Sequence, residues 1–233
     1  MKYFFSVFLL LILSIYCNGQ KIPEMGILLG KGNYNGELNP TQQFSSDGGG
    51  LAFGGIFRYN LNPRYALKAT AIYTKIRGND DIADLEFGQI RNAEFESNLL
   101  ELSTQIEFNF MKYTIGDWSQ PFSPFLFVGL SAFQYNPQTT QDGIDVRSED
   151  IKQWGMAIPF GVGFKVNLFS RFGLSAEWGF RKTGRDNIDG LINNNLELPD
   201  FENGKDYDND WYSIIGVSLN YRLTKKNVCP SNF

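Results

Sequence analysis

Two glutamates, Glu101 and Glu107, stand in the stretch ELSTQIEFNF, and paired carboxylates are common equipment for general acid–base work. On an extended chain, however, six residues at 3.3 Å each put them ~20 Å apart, too far to share one reacting bond. A second stretch, DYDNDW, sets Asp206, Asp208 and Asp210 at alternate positions and resembles the opening of a calcium loop. An EF-hand needs glycine at the sixth position and glutamate six residues later, where this chain has Trp211 and Val217. The three aspartates are thus weak metal candidates, better read as a solvated acidic loop. The 233 residues include no histidine, which removes the commonest general base and one of the commonest metal ligands. The expectation is a chain without catalytic residues and without a cofactor.

The elements that carry these residues explain their spacing better than chemistry does. In ELSTQIEFNF, Glu101, Ser103, Gln105, Glu107 and Asn109 fall on one face, and Leu102, Thr104, Ile106, Phe108 and Phe110 on the other. A strand with one wet and one greasy side alternates in this way. AIPFGVGFKVNL sets Ile158, Phe160, Val162, Phe164, Val166 and Leu168 against Pro159, Gly161, Gly163, Lys165 and Asn167. FGLSAEWGFRK and WYSIIGVSLNYRL repeat the pattern, and weaker versions run through Glu24 to Asn33, Gly49 to Asn60 and Tyr65 to Ile76. FSPFLFVGLSAF, within Phe122 to Tyr135, is apolar on both faces, so its inward side stays open. The total is eight candidate strands, each near the ~9 to 11 residues that cross a bilayer at a tilt.

The links alternate too. LNPR (Leu61 to Arg64) and FSR (Phe169 to Arg171) are tight turns, and Lys112 to Pro121 is somewhat longer. Tyr34 to Gly48, Arg77 to Phe95, Asn136 to Gly155 and Gly184 to Asp210 are long and polar. An up-and-down barrel sends alternate links to opposite ends, with short turns on the periplasmic rim and long loops outside. The start, MKYFFSVFLLLILSIYCNGQ, has a basic Lys2 and an apolar run too short for a membrane helix, and reads as a signal peptide over 1–19. The barrel is expected over 20–224 and a short basic periplasmic tail over 225–233. Cleavage after Gly19 leaves Cys229 as the mature chain's sole cysteine, so no internal disulfide can hold the fold.

Which face is wet decides the class. A soluble sandwich buries its greasy face, whereas a membrane barrel turns it to lipid and closes the sheet, because hydrocarbon leaves no backbone group a partner. Rings cluster near the strand ends: Tyr59, Tyr65, Phe108, Phe110, Phe172 and Tyr221 at the short-turn end, and Tyr73, Trp154, Phe180 and Trp211 at the other. They match interfacial aromatic belts. The polar face is small, with glycines at 54, 161, 163, 173, 179 and 216. The expected fold is an all-β, eight-stranded antiparallel up-and-down transmembrane barrel. Its lumen would hold Arg58, Lys68, Lys165, Arg181 and Arg222 against Glu101, Glu107 and Glu177, a salt-bridged plug instead of a pore. A net charge of -4 predicts no affinity for nucleic acid.

The blocks EMGILLGKGNYNGELNP, AFGGIFRYNLNPRYALKATAIYTKIRGND, NLLELSTQIEFNF, FSPFLFVGLSAFQYNP, AIPFGVGFKVNL and NDWYSIIGVSLNYRL resemble, in order, the outer-membrane barrel called PorG of the Bacteroidetes type IX secretion system. The resemblance implies a non-enzymatic barrel in outer-membrane lipid. It further implies anchoring of a periplasmic ring, formed by a lipoprotein and its partner of the PorK and PorN type, with roles in protein export and, in gliding species, motility. Other components of the system are implied partners too, and geometry would put the periplasmic partner on the short-turn rim and tail. The rim candidates are Asn62, Arg64, Lys112, Trp118 and Arg171, and the tail candidates Lys225 and Lys226. The alternative is a stand-alone structural or adhesive barrel of the small OmpA and OmpX types.

Overall fold

The computed structural model describes residues 22–35, 49–79, 93–141, 144–147, 152–184 and 211–224. The strands are β1 (Ile22–Asn35), β2 (Gly49–Asn60), β3 (Tyr65–Asn79), β4 (Ala93–Asn109), β5 (Phe122–Gln141), β6 (Ile144–Arg147), β7 (Gln153–Asn167), β8 (Phe172–Thr183) and β9 (Trp211–Arg222). Every pairing is antiparallel, in the order β4-β3-β2-β1-β9-β8-β7-β5, and β4 pairs with β5 to close the ring. The result is a closed eight-stranded barrel with β6 as an appendage on the far end of β5. Closure leaves these strands no free edge, the condition for crossing hydrocarbon.

The eight expected strands are all present, several longer than alternation showed. β3 runs to Asn79, β4 begins at Ala93 and β5 continues to Gln141, so the pairing of β4 with β5 reaches Ala93 opposite Gln141. The links expected over Arg77 to Phe95 and Asn136 to Gly155 therefore shrink, and the second contains β6. Polar stretches such as NPQTTQ read as loop, yet they extend because backbone hydrogen bonding to an existing neighbour needs no apolar side chain. The signal segment 1–19, the tail 225–233 and both cysteines lie outside the described residues.

The inversion of wet and greasy faces is complete on β4. Glu101, Gln105, Glu107 and Asn109 are fully buried, while Leu102 and Ile106 are 51% and 54% exposed. Leu51, Leu130, Met156, Ile27 and Leu29 are more open still. Rings gather where expected at the short-turn end, with Tyr65 against Phe108 and Phe172 against Tyr221 at 5.2 and 5.1 Å between centroids. At the other end Phe53 meets Tyr73, and Trp178 meets Phe180 at 4.8 Å.

At the short-turn end, Asn62 Oδ1 accepts from the Arg64 and Tyr65 amides at 2.8 and 2.9 Å, which sets the β2–β3 turn. An arginine at Leu102, near the middle of the wall, should cost about 2–4 kcal/mol because a cation there must leave water for hydrocarbon. Urea titration of Leu102→Arg folded into lipid vesicles is expected to show this loss, and an unchanged midpoint would place the greasy face elsewhere.

Candidate functional site

The chemistry-bearing residues converge inside the barrel. Arginine and lysine project from β2, β3 and β7 because their strand parity points them inward, and Glu107 of β4 lies where all three meet. Its carboxylate takes Arg58 Nε at 2.8 Å, Lys68 Nζ at 3.1 Å and Lys165 Nζ at 2.6 Å. Arg58 reaches on to Glu24 at 3.0 Å, and Lys68 to Glu177 at 2.8 Å. Asn60 donates to the second Glu24 oxygen at 2.7 Å, and Lys165 also donates to Asn109 Oδ1 at 3.0 Å. Three carboxylates thus balance three cations, all nearly or fully buried. In a low-dielectric lumen such balance is required, since an unpaired ion costs several kcal/mol.

A separate cluster sits nearer the long-loop end. Arg181 Nε donates to Glu101 at 3.0 Å and the Tyr212 hydroxyl donates to the same oxygen at 2.6 Å. Glu101 and Glu107 therefore belong to different clusters, as their spacing required, and both are saturated by structural partners. Arg222 departs from the expected network. The two Glu24 oxygens opposite it are taken by Arg58 and Asn60, and Arg222 Nη1 instead donates to the Ile115 carbonyl at 2.5 Å.

That carbonyl belongs to the link after β4, which folds back under the barrel. Tyr113 and Ile115 are buried, the Tyr113 amide donates to Pro63, and Asn167 Nδ2 donates to the carbonyls of Thr114 and Asp117 at 3.1 and 2.8 Å. Gly116 turns this cap at φ 84°, where a Cβ would run into the Ser170 carbonyl. Burial and the Glu24 charge push the Tyr113 phenol above its ordinary range. Of the expected rim, Asn62, Arg64, Lys112 and Trp118 are exposed and Arg171 is half-buried; Arg64 is also bonded to the Phe110 carbonyl and Arg171 to the Tyr221 hydroxyl. Lys225 and Lys226, like Asp206, Asp208 and Asp210, lie outside the described residues. Among the described residues no group of acidic side chains is arranged to hold a metal.

Sequence reasoning missed two parts of the plug. Glu24 was one, although the alternation Glu24, Gly26, Leu28, Gly30 against Met25, Ile27, Leu29 already marks its face. The inward side of β5 was the other. Phe125, Phe127, Phe133 and Tyr135 point in, and Leu126, Val128 and Leu130 point out. The missing signal lay across the strand: Phe125, Phe127 and Phe133 sit opposite Gly163, Gly161 and Gly155 of β7. Each ring fills the space an absent side chain leaves. Two of them also face cations, with Lys68 over Phe127 and Lys165 over Phe125, both at 4.5 Å. Towards the long-loop end the lumen becomes apolar, with Tyr34, Ile72, Ile76, Leu99, Phe133, Tyr135 and Ile214 packed around the Glu101 cluster.

A closed antiparallel sheet with a greasy outer wall and an ion-paired, ring-filled interior defines a small β-barrel of the outer-membrane class. The chain matches the family described as Domain of unknown function (DUF6089) over residues 2–231 and belongs to it. Solved structures with a similar fold include Ail of Yersinia pestis, at 9% identity, TM-score 0.45, and coverage of 87% of this chain and 97% of that one. Neisserial surface protein A gives 12% identity and TM-score 0.47 over 88% and 97%. A major outer membrane protein of Thermus thermophilus gives 13% and 0.47 over 86% and 99%. No curated protein sequence matches the chain.

Glu107→Gln should destabilise the folded barrel by about 3–5 kcal/mol, because three buried cations lose their shared anion. Denaturant unfolding in micelles checks this. Gly155→Ala drives a Cβ into the Phe133 ring. It should abolish the heat-modifiable band of the folded barrel, and Phe133→Leu in the same chain should restore it.

Proposed function

We propose that this protein is a structural barrel of the outer membrane that neither conducts nor catalyses, and that its work is done at its two ends. The observation that carries this reading is the occupied lumen. Arg58, Lys68, Glu101, Glu107, Lys165 and Arg181 are each at most 1% exposed, so water cannot reach the ionic layers from either end. A filled interior suits eight strands, and its carboxylates are held by fixed cations, leaving none poised for proton transfer. The fold supports a stand-alone small barrel of the OmpA and OmpX type most directly.

A finer, second reading is that the barrel anchors a periplasmic ring of the type IX secretion system, with both termini periplasmic. The ordered blocks resembling PorG favour it. The rim adds a physical reason: the link after β4 is held rigid by Asn167, Arg222 and Gly116 while it presents Trp118 and Lys112 outward. A rigid, half-apolar rim loses little entropy when a partner docks.

Reconstituted protein in a planar bilayer should give no steady conductance; open-channel currents would refute the sealed lumen. To separate the two readings, the native barrel is isolated under mild detergent. Recovery of ring lipoprotein, lost in a Lys112→Glu, Trp118→Ala variant that still folds, supports anchoring. Recovery of the barrel alone supports the stand-alone reading.

A further inference from the structure

The outer wall is uneven. Along β4, β5, β7 and β8 a groove of about 560 Å³ runs across the bilayer-facing side. Register explains it. Leu126 lies beside Val162 and Val162 beside Trp178 in one cross-strand row, while Val128 lies beside Phe160 and Phe160 beside Phe180 in the next. Leu126 and Val128 on β5 and Val162 on β7 form a low floor, and the rings of Phe160 on β7 and of Trp178 and Phe180 on β8 form a bank. Phe127 and Gly161 lie between the rows.

We infer that this groove binds a single lipid acyl chain and retains it more firmly than the surrounding bilayer lipid. Its lining is almost wholly hydrocarbon, which excludes a headgroup or a polar peptide. It is continuous with the wall that already faces lipid, so a chain can enter sideways without crossing water. A second copy fits poorly, because a two-fold contact brings a concave patch against itself and leaves a void. A cavity near 150 Å³ takes a benzene-sized hydrocarbon, so about 560 Å³ is room for a chain. The inference rests on the barrel standing in a bilayer and on neither of the two readings of its function.

Trp178 on the bank is a built-in reporter. With Trp118, Trp154 and Trp211 replaced by phenylalanine, the folded protein in dodecylmaltoside micelles is titrated with phosphatidylcholine carrying a 9,10-dibrominated acyl chain. Trp178 fluorescence should fall along a curve that saturates near one lipid per barrel. A reference protein that keeps only Trp154, exposed on the wall outside the groove, should be quenched in proportion to the brominated fraction of the micelle. Val162→Phe, which raises the floor, should remove the saturable part several-fold or entirely while the heat-modifiable band persists. Linear quenching at Trp178 like that at Trp154, or a saturable curve unaffected by Val162→Phe, overturns the inference. Concentration-dependent cross-linking between barrels through this face with no quenching of Trp178 overturns it in favour of a second copy. If Val162→Phe does not fold, the comparison of Trp178 with Trp154 decides alone.

Discussion

A carboxylate sealed from water must have cations within reach, and Glu107 has three. This constraint organises the interior. Arg58, Lys68 and Lys165 come from β2, β3 and β7, so one side chain on β4 ties together strands far apart round the ring. Backbone bonds connect each strand only to its neighbours; the ionic cluster braces across the barrel. Because each partner would be a buried, unpaired charge without the others, the cluster stands or falls as a unit. Such a network is weak evidence for net stability against an apolar core, but it strongly disfavours any register that would separate its members.

The same lumen reconciles two demands on volume. Large rings enter from β5 where β7 carries glycine, and cations lie over those rings, so apolar bulk and charge share one layer. Below them the link after β4 caps the short-turn end with backbone carbonyls that accept from Asn167 and Arg222. Above them the interior turns apolar around the Glu101 cluster. The outer wall is the complement. Where Leu126, Val128 and Val162 lie beside the rings of Phe160, Trp178 and Phe180, its surface dips, and the groove follows from the row order and not from any gap in the sheet.

Much of this was legible in residues alone where a strand alternates cleanly. Glu101 to Phe110 assigned each side chain to its face, and the runs of β7, β8 and β9 did the same. Where both faces are apolar, as on β5, alternation carries no information, and the ring-against-glycine pairs needed the register. Strand length was underestimated at Asn79, Ala93 and Gln141, since pairing extends through polar residues once a neighbour is in place. Arg222 faces inward as expected but donates to a backbone carbonyl instead of a carboxylate, and Asn62, Arg64 and Arg171, exposed or half-buried on the rim, also hold the turns together or brace neighbouring strands.

The class of fold is written in the residues: period-two alternation with a greasy outside, eight strands and alternating links leave few folds other than a closed membrane barrel, because side-chain parity is a local property of extended chain. Who pairs with whom inside the lumen is a property of the closed ring. Closure and register set which inward side chains share a layer, and the chain separates Arg58 from Glu107 by 49 residues, and Lys68 from Glu177 by 109. Contact across such distances depends on shear and curvature of the whole ring, which no local pattern encodes.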